Sequence, residues 1–295
     1  MNTVDLHVHT TASDGTASPA EAVELAARLG LRTVAVTDHD TVAGHAEALA
    51  AGKACGVEVI PGIEISTVYL YSPLDAPEEQ RRCSVHILGY YMDDHSPELT
   101  AFLSGIVENR DRRNRRICAL MAADGLPADY EALQARFGSV IGRPHFAQLL
   151  VEQGLAESVN DAFARYLSSG RPYYLPRDFI DITEAIRTLR AARAVPVLAH
   201  PYQYKLAEPD LRALIERCIS AGLLGMECRY SLYDARQSAR LEALAAEYGL
   251  LMTGGSDYHG SRKPHIRLGS GTGSLEVPSA FPERLRQAAD RLKQA

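Results

Sequence analysis

VDLHVHTTASDG (residues 4–15) sets two histidines one residue apart and follows them with a serine and an aspartate. Thr3, Val4 and Leu6 favour a β-strand, where side chains repeat every two residues, so His7 and His9 share a face. Both imidazoles can therefore reach one cation. An isolated H-x-H is more often a pair of exposed or internally bonded histidines, so the meaning of this one depends on the rest of the chain.

Working outward, Ser18-Pro19-Ala20-Glu21 supplies an N-cap, a proline at the first helical position and a capping-box glutamate, which predicts a helix from about Pro19. Apolar strand-like runs at 3–9, 33–37, 57–66 and 84–92, with a second helix from about Ala43, carry the rhythm of parallel βα units. After GYYMDD the pattern turns Arg-rich and helical over 97–171, which predicts an inserted cap domain. The rhythm resumes with helices near 182–194, 209–221 and 234–248, alternating with VPVLAHP, LLGMECRY and LLMTGGSDYHG. Seven strand candidates predict an α/β barrel of fewer than eight strands, formed by 1–96 and 172–295 around the 97–171 insert. NRDRRNRR (109–116) is expected to be a solvated helix face, and Tyr173 and Tyr174 to serve packing rather than base stacking.

Composition narrows the class. Of the 295 residues, 46% are hydrophobic and 23% charged, and no apolar run reaches the ~18 to 20 residues of a membrane span. The chain enters its first strand almost at once, and no signal peptide is expected. Five cysteines, Cys55, Cys83, Cys118, Cys218 and Cys228, contain no C-x-x-C pair and are odd in number, which points to reduced thiols in the cytoplasm rather than to ligands. A net charge of −6 argues against coating long nucleic acid, while leaving room for a local phosphate site.

In parallel α/β proteins reactive groups gather where strands run out. The first strand end offers His7, His9 and Asp14, the second Asp38, His39 and Asp40, and the third Glu64. His86, His200, and finally Asp257 with His259 follow, so six of the ten histidines fall in these motifs. Nine convergent His, Asp and Glu side chains would crowd carboxylates together, and their repulsion calls for added positive charge. Imidazole with carboxylate and no thiolate suits Mn²⁺, Fe²⁺, Zn²⁺ or Mg²⁺, and nine ligands suffice for two or three ions if Glu64 bridges.

DLHVHTTASDGT, VAVTDHDT, GIEIS, HILGY, LAHP and GGSDYHG, in that order across nearly the whole chain, resemble the polymerase and histidinol phosphatase (PHP) family. The resemblance implies a distorted seven-stranded (β/α)7 barrel with a trinuclear centre that hydrolyses phosphoesters. Carried over motif by motif, it implies that His7, His9, Glu64 and Asp257 hold one ion, Glu64, His86 and His200 a second, and Asp14, His39 and His259 a third. Asp14 stands where some members carry histidine, and a hard oxygen there weakens preference for zinc. Within the family the chain looks most like stand-alone members with a helical insert, similar to nucleoside 3',5'-bisphosphate phosphatases and 5'-to-3' exoribonucleases.

Metal ions lower the pKa of bound water towards ~7, so a metal-activated hydroxide can attack phosphorus without a serine or cysteine nucleophile. Ser13, Arg143 in IGRPHF and Arg177 in YLPRDF are candidate phosphate-binding residues, the arginines because a guanidinium pairs bidentately with phosphate. The expected reaction releases the 3'-phosphate of a nucleoside 3',5'-bisphosphate, with manganese first among the ions. Alternatives are exoribonuclease action on short 5'-phosphorylated RNA, histidinol-phosphate phosphatase activity, and a non-catalytic metal-stabilised interaction module. The partners expected are a small nucleotide or a short RNA end, with no membrane and no obligate protein partner.

Overall fold

The computed structural model describes residues 3–138, 141–175 and 180–294. The chain divides into two compact units, Met1–Phe102 with Phe179–Ala295, and Leu103–Asp178.

The first unit is built on one seven-stranded sheet in chain order: β1 (Val4–Val8), β2 (Thr33–Val36), β3 (Glu58–Tyr71), β4 (Arg81–Tyr90), β5 (Val195–Leu198), β6 (Gly225–Tyr230) and β7 (Leu251–Gly255). Asp257 N–H donates to the His7 carbonyl at 2.8 Å and His9 N–H to the Tyr258 carbonyl at 2.9 Å, so the far edges meet and the sheet nearly closes. This is the distorted seven-stranded barrel that the motifs imply. Gly255 makes the seam possible, since a Cβ there would lie 2.4 Å from both the Cβ and the N of His7.

The strands are not all parallel. β4 runs antiparallel to both neighbours, pairing Glu64 with Leu88 on one side and Ile87 with Leu198 on the other. Residues 72–80 between β3 and β4 form a loop and not a helix, and a loop of that length returns the chain antiparallel beside the strand it left. Two expectations change as a result. Glu64 and His86 sit within long strands rather than at strand ends, because β3 and β4 run on as a two-stranded ribbon as far as Tyr71 and Arg81.

Helices α1 (Pro19–Arg28) and α2 (His45–Cys55) pack Ala22, Val23, Ala26 and Ala48 against Val8, Val34 and Val36. The α1 start is the expected capping box, with Glu21 N–H donating to Ser18 Oγ at 3.2 Å and Ser18 N–H to the Glu21 carboxylate at 2.7 Å. Helices α7 (Ile182–Ala191), α8 (Glu208–Ala221) and α9 (Ala235–Glu247) accompany β5 to β7. A further helix, α10 (Ala280–Gln294), was not expected; its Phe281, Leu285 and Ala289 join Val4, Ile60, Tyr90 and Val195, so it packs at the barrel end away from the motifs.

The second unit contains most of α3 (Pro97–Ala123), then α4 (Tyr130–Phe137), α5 (Arg143–Glu152) and the short α6 (Val159–Ala162), around Ile117, Met121, Leu133, Phe146 and Leu150. The arginine-rich run corrects one expectation: Arg112, Arg115 and Arg116 are exposed, but Arg110, Arg113 and Asn114 are buried. Asn114 spans the unit, accepting from Arg113 and donating to the Ile141 carbonyl at 2.9 Å. No helix among the described residues is long and apolar enough to cross a membrane. All five cysteines are free thiols.

Candidate metal centre

His7 on β1 and His9 just past its end keep the two-residue repeat of an extended chain, and their Nε2 atoms converge to 3.1 Å. Glu64 reaches the same point from β3. Its Oε2 lies 3.4 Å from His7 Nε2, 3.2 Å from His9 Nε2 and 3.2 Å from His39 Nδ1. Its Oε1 meets His86 Nδ1 and His200 Nε2, each at 2.9 Å. Beyond β7, Asp257 Oδ1 stands 3.3 Å from His9 Nε2 and 3.3 Å from His259 Nδ1. Asp14 Oδ1 lies 3.2 Å from His259 Nε2 and 3.7 Å from His9 Nδ1. All nine residues singled out from the motifs thus fall in one connected cluster, with Glu64 at its middle.

The backbone around the cluster is unusual. Asp40, His200 and Asp257 are non-glycine residues at φ 55°, 25° and 57°, in the left-handed region that L-residues enter at a cost. Such conformations persist where surrounding bonds over-determine them. Asp40 accepts from Ser66 N–H at 2.8 Å, and Asp38 gathers Thr10 N–H, Thr10 Oγ1 and Ser13 Oγ at 2.6–2.7 Å, which fixes the loop after β1.

The electrostatics of the donor set suit divalent cations. Burial opposes charge on Glu64, Asp257 and Asp14, yet the surrounding imidazoles outweigh it and hold all three carboxyls well below the usual range. Burial drives His39 down to about 3, leaving its ring neutral with a lone pair to offer. For His9 burial is overcome by the bonds to Asp257 and Glu64, which push it up to about 9. His7 is raised in the same way by Glu227 and Glu64. Meanwhile the buried His9 Nδ1, His39 Nδ1 and His200 Nδ1 atoms have no hydrogen-bond partner. Concentrated negative charge together with nitrogen and oxygen donors and no thiolate fits divalent cations. Among the described residues, groups with ligand atoms mutually within 4.8 Å are His9, Asp14, His39 and His259; His7, His9 and Glu64; and His39, Glu64 and His86.

Sequence reasoning missed the residues behind this cluster. Glu227 on β6 is fully buried and bonds His7 Nδ1 at 3.0 Å; its only signal was a carboxylate inside the apolar run GMECRY. Tyr230 Oη and Lys263 Nζ both donate to Asp257 Oδ2 at 2.7 Å, which leaves Oδ1 to the histidines. The substrate candidates fare differently. Ser13 turns its hydroxyl into the fold, towards Asp38. Arg143 lies in the second unit, where its guanidinium contacts the Leu167 carbonyl at 3.4 Å and faces the Tyr174 ring at 5.2 Å. Arg177 lies outside the described residues. Tyr173 is buried and donates to Asp124 at 2.8 Å, so it serves packing.

Comparison with known proteins agrees with the geometry. A 5'-3' exoribonuclease of Haemophilus influenzae is 35% identical over 86% of this chain and 89% of its own length. A 3',5'-nucleoside bisphosphate phosphatase of Chromobacterium violaceum is 31% identical over 88% of each chain. The crystal structure of a protein assigned as a metal-dependent phosphoesterase from Bifidobacterium adolescentis superposes with a TM-score of 0.81 at 32% identity, covering 97% of this chain and 96% of that one. The family model for the PHP domain matches residues 5–175, from the strand that bears the paired histidines to beyond His86. With that match, and with relatives of this identity along nearly its full length, the chain belongs to the PHP domain family.

Proposed function

We propose that this protein is a metal-dependent phosphoesterase that removes the 3'-phosphate of nucleoside 3',5'-bisphosphates to leave 5'-mononucleotides. The observation that carries the reading is the cluster around Glu64, which combines six imidazoles with three carboxylates. In this reading His7, His9, Asp14, His39, Glu64, His86, His200, Asp257 and His259 hold two or three divalent ions. Manganese is our first choice, since imidazole and carboxylate oxygen without thiolate suit it. When bound, such ions polarise phosphoryl oxygens and acidify water. The chain's own part is to fix the donors before substrate arrives: Asp38 locks the loop that carries Asp14, and Tyr230 with Lys263 turns Asp257 so that one oxygen faces the histidines.

The substrate choice draws on the activities for which the relatives are named. A nucleoside 3',5'-bisphosphate and a 5'-phosphorylated RNA end both present a 5'-phosphate and an ester at O3', and binding energy from the first can orient the second. Arg143 and Arg177 are the proposed anchors for the remote phosphate, and we place the protein in the cytoplasm on its free thiols. Exoribonuclease action on short 5'-phosphorylated RNA is the second reading, favoured by the Haemophilus influenzae relative. Product analysis decides between outcomes. Adenosine 3',5'-bisphosphate incubated with enzyme and Mn²⁺ is expected to give adenosine 5'-monophosphate. Adenosine 3'-monophosphate as the main product, or no reaction beside rapid hydrolysis of histidinol phosphate, rejects the proposal.

A further inference from the structure

We propose that Glu227 is a positioning residue that orients His7 and His200 together, so that one buried carboxylate couples the geometry of two ligands on opposite sides of Glu64. The inference rests on the reading that these histidines bind metal. Glu227 is fully buried on β6, and its two oxygens are divided between the two histidines. Oε1 lies 3.0 Å from His7 Nδ1, and Oε2 accepts the His200 backbone N–H at 2.8 Å.

Each bond has a distinct consequence. A carboxylate beside Nδ1 keeps a proton on that nitrogen, so Nε2, which meets His9 and Glu64, is the nitrogen that would give its lone pair to a metal. The second bond acts on a strained backbone. His200 sits at φ 25°, ψ 57° immediately before Pro201, a position biased towards extended conformations. Holding its N–H helps to fix that conformation and with it the direction of the side chain, whose Nε2 meets Glu64 Oε1 at 2.9 Å. The two rings lie nearly parallel, 5.8 Å apart at 18°, as parts held from one point. Two donors converge on this side chain, so it must offer two acceptors. A carboxylate does; an amide of the same shape offers one acceptor and turns an NH₂ on the other donor.

The test is therefore Glu227→Gln, which keeps volume and removes one acceptor. Chelator-treated wild type and variant are titrated with Co²⁺, following visible absorption and bound metal by equilibrium dialysis. Loss of an outer partner of this kind weakens metal binding about 10- to 100-fold. We expect a loss in that range together with an altered Co²⁺ spectrum. The His7→Gln background supplies a cycle: there the same change costs markedly less, because the partner it orients is gone. A residue that only supports the fold lowers the chelated protein's melting temperature and leaves Co²⁺ affinity and spectrum as in wild type, and that result overturns the inference. If Glu227→Gln does not fold, ¹⁵N NMR of Zn²⁺-loaded wild type decides: a proton on His7 Nδ1 supports the inference and a bare Nδ1 overturns it. Wild type that takes up no stoichiometric Co²⁺ defeats the metal reading itself, and the inference with it.

Discussion

His9 ties together all three carboxylates of the cluster, with Nε2 shared between Glu64 and Asp257 and Nδ1 turned towards Asp14. His9→Ala and Asp257→Ala are expected to reduce bound divalent metal and to lower kcat/KM more than about 100-fold, above the loss caused by outer partners. Metal analysis beside turnover checks both, and wild-type values in either variant remove that residue from the ligand set. A different histidine governs pH dependence away from the cluster. The His45 ring lies between Asp94 Oδ2 at 2.8 Å and the Gly62 carbonyl at 2.7 Å. Both partners are acceptors, so the ring donates twice and carries a charge. Burial opposes that charge, but the bond to Asp94 and its negative charge raise the ring above its ordinary value. With the folded-state value above the unfolded one near 6.5, the contribution is whole below about pH 6.5 and is lost as pH rises through the folded-state value. His45→Gln should cost about 1 to 3 kcal/mol at pH 6, the worth of a charged hydrogen bond, and less in alkaline buffer. Denaturant unfolding of both proteins over a pH series checks this; a gap that stays constant with pH rules it out.

Among the elements, the seam between β1 and β7 is the tightest. Alanine at 255 would place its Cβ 2.4 Å from His7 backbone and Cβ atoms, and no rotamer relieves a clash with backbone. Gly255→Ala is expected to destabilise by about 1 to 3 kcal/mol and to weaken metal binding, because His7 must move with its strand. Gly105→Ala is the control: a Cβ there meets nothing within 4 Å, and added helix propensity should stabilise slightly. Calorimetric melts with and without metal separate the two. The same elements show where sequence was legible. The α1 start was, since its capping box closes within four residues. The reversal of β4 was not: β-propensity is the same in either direction, and only the length of the 72–80 connection carries the signal. Helix α10 escaped because the barrel floor that explains its apolar face comes from strands far away in sequence.

At the scale of the whole molecule, the metal motifs were legible because His, Asp and Glu recur in successive apolar strand segments and the loops after them, a pattern that a surface does not require. Glu227 was illegible for the converse reason: a lone carboxylate in a strand ordinarily faces water, and only the closed barrel turns it onto His7. The halves of NRDRRNRR likewise part company only once α3 has neighbours to pack against. The closing of the barrel also sets an order in time. His7 and His9 leave the ribosome before the strand and loop that pin them, which end at Asp257 and His259 some 250 residues later. At about 5 to 20 residues per second, translation leaves the paired histidines without their last partners for on the order of tens of seconds. Until that stretch emerges the growing chain lacks two of the nine donors of the cluster, so the centre can close only after β7 has been made.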